Sequence, residues 1–166
     1  MKTNFKAISR LLVIVLTLIA LTGCSKQKTP DNLDLEAVYQ AILDAQGANK
    51  DQLILFPEPK DSAYVTELYP GLSDIELKQQ VVYIAPVTGF ATEIILVEVE
   101  NSKDTDTVKE IFQSRIDAAV ADTTYPETAA QWRKNAKVQA AGNYVCMIVL
   151  SDEYVIPEDV FNLINK

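Results

Sequence analysis

Leu35, Val38, Tyr39, Ile42 and Leu43 recur at the three- and four-residue spacing of a single helical face. With Asp34 as N-cap and Gly47 as stop, they predict an amphipathic helix. Residues 53–59 are apolar and punctuated by proline. Residues 61–69 suit one short helix ahead of the Pro70-Gly71 break, and Ser73-Asp74-Ile75-Glu76 follows as a capping box. The period then drops to two. Residues 81–85 and 92–100 are rich in β-branched and aromatic residues, and Glu93, Ile95, Val97 and Val99 alternate with Ile94, Leu96, Glu98 and Glu100. The link between them contains Gly89 and has the length of a hairpin connection.

Helical spacing returns at Val108, Ile111, Phe112, Ile116, Ala119 and Val120, behind a second capping box, Thr107-Val108-Lys109-Glu110. This segment predicts the longest helix, and residues 127–134 a shorter one that carries Trp132 inward. Residues 137–140 and 144–150 flank Gly142-Asn143, a dipeptide that suits a tight primed turn with positive φ at its first position. The last strand is apolar at every position, which predicts burial on both faces. Pro157 then opens a terminal helix carrying Val160, Phe161 and Ile164. The fold class expected is α+β: a four-stranded, mainly antiparallel sheet in two hairpins, packed against a long helix and several shorter ones.

The start of the chain follows a different logic. A basic segment with Lys2, Lys6 and Arg10 precedes an apolar run over residues 11–21, too short to span a bilayer but suited to a secretory signal. Leu21-Thr22-Gly23-Cys24 resembles the lipobox of bacterial lipoproteins. That resemblance implies a signal peptide over 1–23, a diacylglycerol thioether on Cys24, and cleavage before it. Two or more acyl chains hold a protein to a membrane where one is marginal. Residues 24–32 then read as a lipidated, polar tether containing Pro30, and residues 33–166 as one globular domain. Removing the leader leaves 143 of 166 residues, enough for a substantial core.

Across most of that body, several stretches resemble the bacterial lipoprotein family called domain of unknown function 4358. They are Ala91-Thr92-Glu93-Ile94, Arg115, Tyr125-Pro126-Glu127, Asn135-Ala136-Lys137-Val138 and Gly142-Asn143-Tyr144-Val145. The family has no established activity, so the resemblance implies a compact lipoprotein domain and carries over no catalytic residue.

Charge narrows the function classes. Lys2, Lys6 and Arg10 leave with the leader, taking the net charge from −8 to −11, which repels phosphate backbones and gives no case for nucleic acid. The chain has no histidine, which excludes Ser-His-Asp and Cys-His mechanisms and removes the commonest metal ligand. With Cys24 assigned to lipid, Cys146 has no disulfide partner in the mature chain. It sits in an apolar run without a nearby cation and reads as core. Glu98, Glu100, Asp104 and Asp106 fit no calcium loop and read as solvated charges at a strand end and a helix start.

Glu93 heads an otherwise apolar strand, either as an acid/base group or as a paired carboxylate, with Arg115 or Lys137 as conceivable partners. Tyr125 and Trp132 suit carbohydrate stacking or, more commonly, helix packing. Phe90, near the hairpin tip, is the candidate residue for a partner protein or peptide. No cofactor and no metal are expected. The functional expectation is a lipid-anchored extracytoplasmic protein at the outer face of the bacterial membrane, acting as a noncatalytic binding module of the envelope. The alternative is a small envelope hydrolase working through carboxylates.

Overall fold

The computed structural model describes residues 32–87 and 89–165. The expected signal peptide, the lipobox-like Leu21, Thr22 and Gly23, the expected lipid acceptor Cys24 and nearly all of the expected tether lie outside the described residues.

Five strands form one antiparallel sheet: β1 (Phe56–Pro57), β2 (Leu77–Ile84), β3 (Glu93–Val99), β4 (Lys137–Ala141) and β5 (Tyr144–Val149), in the order β1-β2-β3-β5-β4. Among the described residues four helices accompany it: α1 (Leu35–Asp44), α2 (Ala63–Leu68), α3 (Thr105–Ala121) and α4 (Pro126–Asn135), with 3₁₀ turns between them and at Val160–Asn165. The class is α+β as expected, but the sheet has five strands where four were predicted. The fifth, β1, is two residues long and contains proline, which carries almost no periodic signal.

β2 pairs with β3 and β4 with β5, the two pairs are joined through β3 and β5, and β1 adds to β2 outside the predicted hairpins. The first pair begins at Leu77, ahead of the predicted start at 81, because ladder hydrogen bonds carry the strand through the polar residues Lys78, Gln79 and Gln80. Ser73–Glu76 accordingly opens no α-helix and leaves only a 3₁₀ turn, Leu72–Asp74. The long helix starts two residues before the predicted capping box. At the C-terminus a 3₁₀ turn begins at Val160, three residues past Pro157, where a helix was predicted.

Every residue of β5 is buried, and β3 is buried at all positions but Glu98, so both faces of the sheet need covering. On one face Val82, Ile95, Val97, Val145 and Met147 pack against α2, α3 and α4 through Val65, Phe112, Ile116 and Trp132. On the other, Ile94, Leu96, Cys146 and Ile148 pack against α1 and the terminal turn through Val38, Ile42 and Phe161. Asp34 caps α1 as predicted, its Oδ1 accepting from Glu36 N at 3.0 Å and Ala37 N at 3.3 Å. Gly142 has φ +60° at the first position of the β4–β5 turn, where a side chain would be strained.

The start of the body is clamped to one pole of the sheet. Leu33 N donates to Tyr144 Oη at 3.0 Å, while Gln79 accepts from Leu35 N and donates to Leu33 O at 2.8 Å and to Glu98 Oε2 at 2.7 Å. The β2–β3 loop, the end of β5 and Glu93 lie at the opposite pole, roughly 20 Å away along β3 at the usual rise per strand residue.

Replacing Asp34 with Ala removes the α1 cap and is expected to lower stability by about 1 kcal/mol. A lower urea midpoint with unchanged slope checks this; an unchanged midpoint would show that the cap contributes nothing.

Candidate functional site

Glu93 opens β3 on the face covered by α2, α3 and α4 and is only 3% exposed. Arg115 is the counter-charge. It stands in α3 in line with Val108, Phe112 and Ala119 on the helical face that meets the sheet. Its Nη2 bonds Glu93 Oε1, and its Nε donates to Oε2 at 3.4 Å. Tyr69 donates its hydroxyl to the same Oε2. This tyrosine is fully buried just beyond α2, held edge-on against Phe112 with centroids 5.9 Å apart. Gly71, at φ +92°, makes the turn that follows.

Of the two partners considered for Glu93, Arg115 takes the role, and Lys137 stands exposed at the start of β4. Tyr69 is the member that sequence reasoning missed. Nothing in Tyr69-Pro70-Gly71 distinguishes a buried hydroxyl from a helix-end aromatic.

The electrostatics follow from burial. Desolvation and the neighbouring Glu93 carboxylate push the Tyr69 phenol well above its ordinary value, so it stays a neutral donor. Burial alone would lower the Arg115 pKa, but the Glu93 carboxylate beside it outweighs that and raises it. Both carboxylate oxygens are therefore engaged, one by a guanidinium and the other by a phenol and the same guanidinium.

Arg115 also stacks over Trp132 at 4.6 Å from the ring centroid. Trp132 is buried in helix packing, while Tyr125, at the N-cap of α4, is 47% exposed. Between α3 and α4 they border a cleft of about 190 Å³ with Leu68, Asp122 and Thr128.

The model of the domain of unknown function (DUF4358) matches residues 57–150. The chain belongs to the DUF4358 family. The matched span begins at Pro57 in β1 and holds β2 to β5 and α2 to α4, so α1 and the terminal turn, which cover the second face of the sheet, lie outside it. No curated protein and no solved structure matches the chain. Glu93, Arg115 and Tyr125, taken from three separate stretches, meet around this one ion pair and its cleft in the DUF4358 fold.

Phe90 stands elsewhere. It is 57% exposed and, with Ile54 at 63%, flanks a mainly apolar cleft of about 110 Å³ that also touches Leu53, Pro86 and Tyr154. Thr92 and Ser151, both buried, join Gln52 and Glu153 in its polar lining, with their hydroxyl oxygens 3.4 Å apart. Ile54 escaped sequence reasoning, its only signal being the apolar stretch that leads into β1.

The acidic residues are dispersed. Glu98 faces Lys78 at 3.7 Å, Asp106 pairs with Lys109 at 3.0 Å, and among the described residues no group of acidic or sulfur ligands is gathered for a metal. Cys146 is buried against the α1 side, and burial, partly opposed by a backbone hydrogen bond from Gln139, raises its thiol from 9.0 to about 12.

Glu93→Gln strands a buried guanidinium and is expected to cost about 3 kcal/mol. The double variant Glu93→Gln/Arg115→Met is expected to lose less than the sum of the single variants, and strict additivity in denaturant titrations would show the two to be uncoupled. Cys146 is expected to resist a thiol reagent in the native protein and react on denaturation. Because its folded pKa is raised, its stabilising contribution is full below pH 9.0 and disappears as pH climbs toward about 12. A Cys146→Ala variant is expected to show a smaller alkaline loss of stability, and an identical pH profile would contradict this.

Proposed function

We propose that this protein is a lipid-anchored extracytoplasmic lipoprotein, held through Cys24 at the outer face of the bacterial cytoplasmic membrane, where it acts as a noncatalytic module that binds an envelope protein or peptide. The observation that carries this reading is the apolar cleft between Ile54 and Phe90, at the pole opposite the clamp on Leu33. A tether leaving that clamp toward a membrane turns the cleft outward, away from lipid. Two large apolar side chains more than half exposed beside a cleft form the kind of surface that anchors a partner. Glu153 lines the same cleft and the chain is strongly acidic, so the complementary partner presents an apolar side chain on a neutral or basic segment. The full commitment of Glu93 to Arg115 and Tyr69 supports a structural carboxylate over an acid/base group.

Crosslinking of the lipidated protein in intact cells, followed by mass spectrometry, tests the reading. One recurrent partner is expected, lost on Phe90→Ala while the fold persists, and Cys24→Ala is expected to release the protein from membranes. A partner set indifferent to Phe90 would overturn the role of the cleft, and membrane attachment indifferent to Cys24 would overturn the anchor.

A further inference from the structure

The Arg115 cleft carries an inference independent of the surface around Phe90. A guanidinium has five N–H donors in a fixed plane. Glu93 occupies the Nε and Nη2 side of Arg115, and among the described residues Nη1 has no hydrogen-bond partner. Among the described residues no buried side-chain nitrogen or oxygen lacks a partner, so Nη1 is not sealed from solvent, and Arg115 lines the cleft between α3 and α4. The outer fork of the guanidinium is thus without a protein partner among the described residues and is fixed in orientation by Glu93 on one side and by the Trp132 ring beneath it. A fork immobilised before a ligand arrives loses little freedom on binding.

The charge balance selects the ligand. Glu93 already neutralises Arg115, and Asp122 lines the same cleft with its carboxyl held below the ordinary range, by hydrogen bonds from Thr124 first and by Arg115 to a lesser degree. An anion would therefore meet a net negative site. A neutral group that offers a carbonyl to the fork and an N–H to Asp122 satisfies both. Leu68, Ala119 and Ala129 give an apolar wall for a methyl group, and the half-exposed Tyr125 ring offers a face on which the C–H groups of a sugar can pack.

We propose that this cleft binds the acetamido group of an N-acetylated amino sugar, its carbonyl on the outer fork of Arg115, its N–H on Asp122 and its ring against Tyr125. The test is direct because Trp132, the single tryptophan of the chain, lies under the reading guanidinium. Its indole N–H resonance or its fluorescence is followed while the intact protein is titrated with N-acetylglucosamine, glucose, N-acetylalanine amide and acetate.

A saturable change with N-acetylglucosamine is expected, roughly tenfold weaker with glucose, which lacks the acetamido group, and weaker again with acetate. N-acetylalanine amide is expected to bind more weakly than the sugar by the loss of the ring contact. Tyr125→Ala and Asp122→Asn change exposed residues, are expected to leave the melting temperature in place, and are each expected to weaken the sugar severalfold. No saturable change with N-acetylglucosamine, equal response to glucose, preference for acetate, or an unchanged response in both variants would each overturn the proposal. Binding of the peptide amide as tight as that of the sugar would overturn its carbohydrate part.

Discussion

A sheet whose two inner strands are apolar on both sides cannot rest against a single layer of helices. β3 and β5 impose that condition: Ile94, Leu96, Cys146 and Ile148 point one way, and Ile95, Val97, Val145 and Met147 the other. The chain meets it by spending α2, α3 and α4 on one face and α1 with the terminal turn on the second. Among the described residues Glu93 is the most deeply buried charge, placed at the head of β3, and its burial determines what surrounds it. Arg115 has to arrive on the inward face of α3, and Tyr69 has to be turned in behind α2. The left-handed backbone at Gly71 sits immediately after that tyrosine, where the chain must reverse. Hydrophobic patterning decides where the helices lie, and this one carboxylate decides much of the detail between them.

Features that depend on a few consecutive residues were legible in the sequence. Asp34 at the start of α1, Gly142 in the last hairpin and the alternation of β3 all rest on local chemistry, and each stands where the pattern put it. The rule that an inward charge must be paired narrowed the partners of Glu93 to two, one of which holds it. What stayed hidden depends on pairing across the chain. β1 exists because Phe56 and Pro57 lie beside Ile84 and Tyr83, and the first turn of β2 is a strand because β3 offers it a ladder, although Lys78, Gln79 and Gln80 carry no hydrophobic period. The destination of the Tyr69 hydroxyl and the proximity of Ile54 to Phe90 are likewise tertiary facts, without a local signature.

The two clefts are mechanically joined. Thr128, which borders the Arg115 cleft from α4, donates its hydroxyl to Gly89 O at 2.8 Å, and Phe90 is the next residue of that loop. A surface loop that carries an exposed aromatic is thus pinned at one point to a helix of the main core, close to the fixed guanidinium. The pole that bears both clefts is built on the buried ends of β3 and β5 instead of on loop alone, which holds its side chains in place more firmly than a free hairpin tip would.

The outermost strand bears on what happens when many copies are crowded together. Sheets grow by adding a chain along an exposed edge, and the free side of β2 is such an edge. Here β1 covers part of it with only two residues, and Pro57 has no N–H with which to continue the ladder. Lys78 is exposed on the uncovered part, where the register with β3 also slips between Leu77 and Gln79 and bends the strand away from a flat template. Proline, a lysine and a bulge on this border disfavour edge-to-edge polymerisation along that side of the sheet, leaving β4 as the border along which a second chain would have to add.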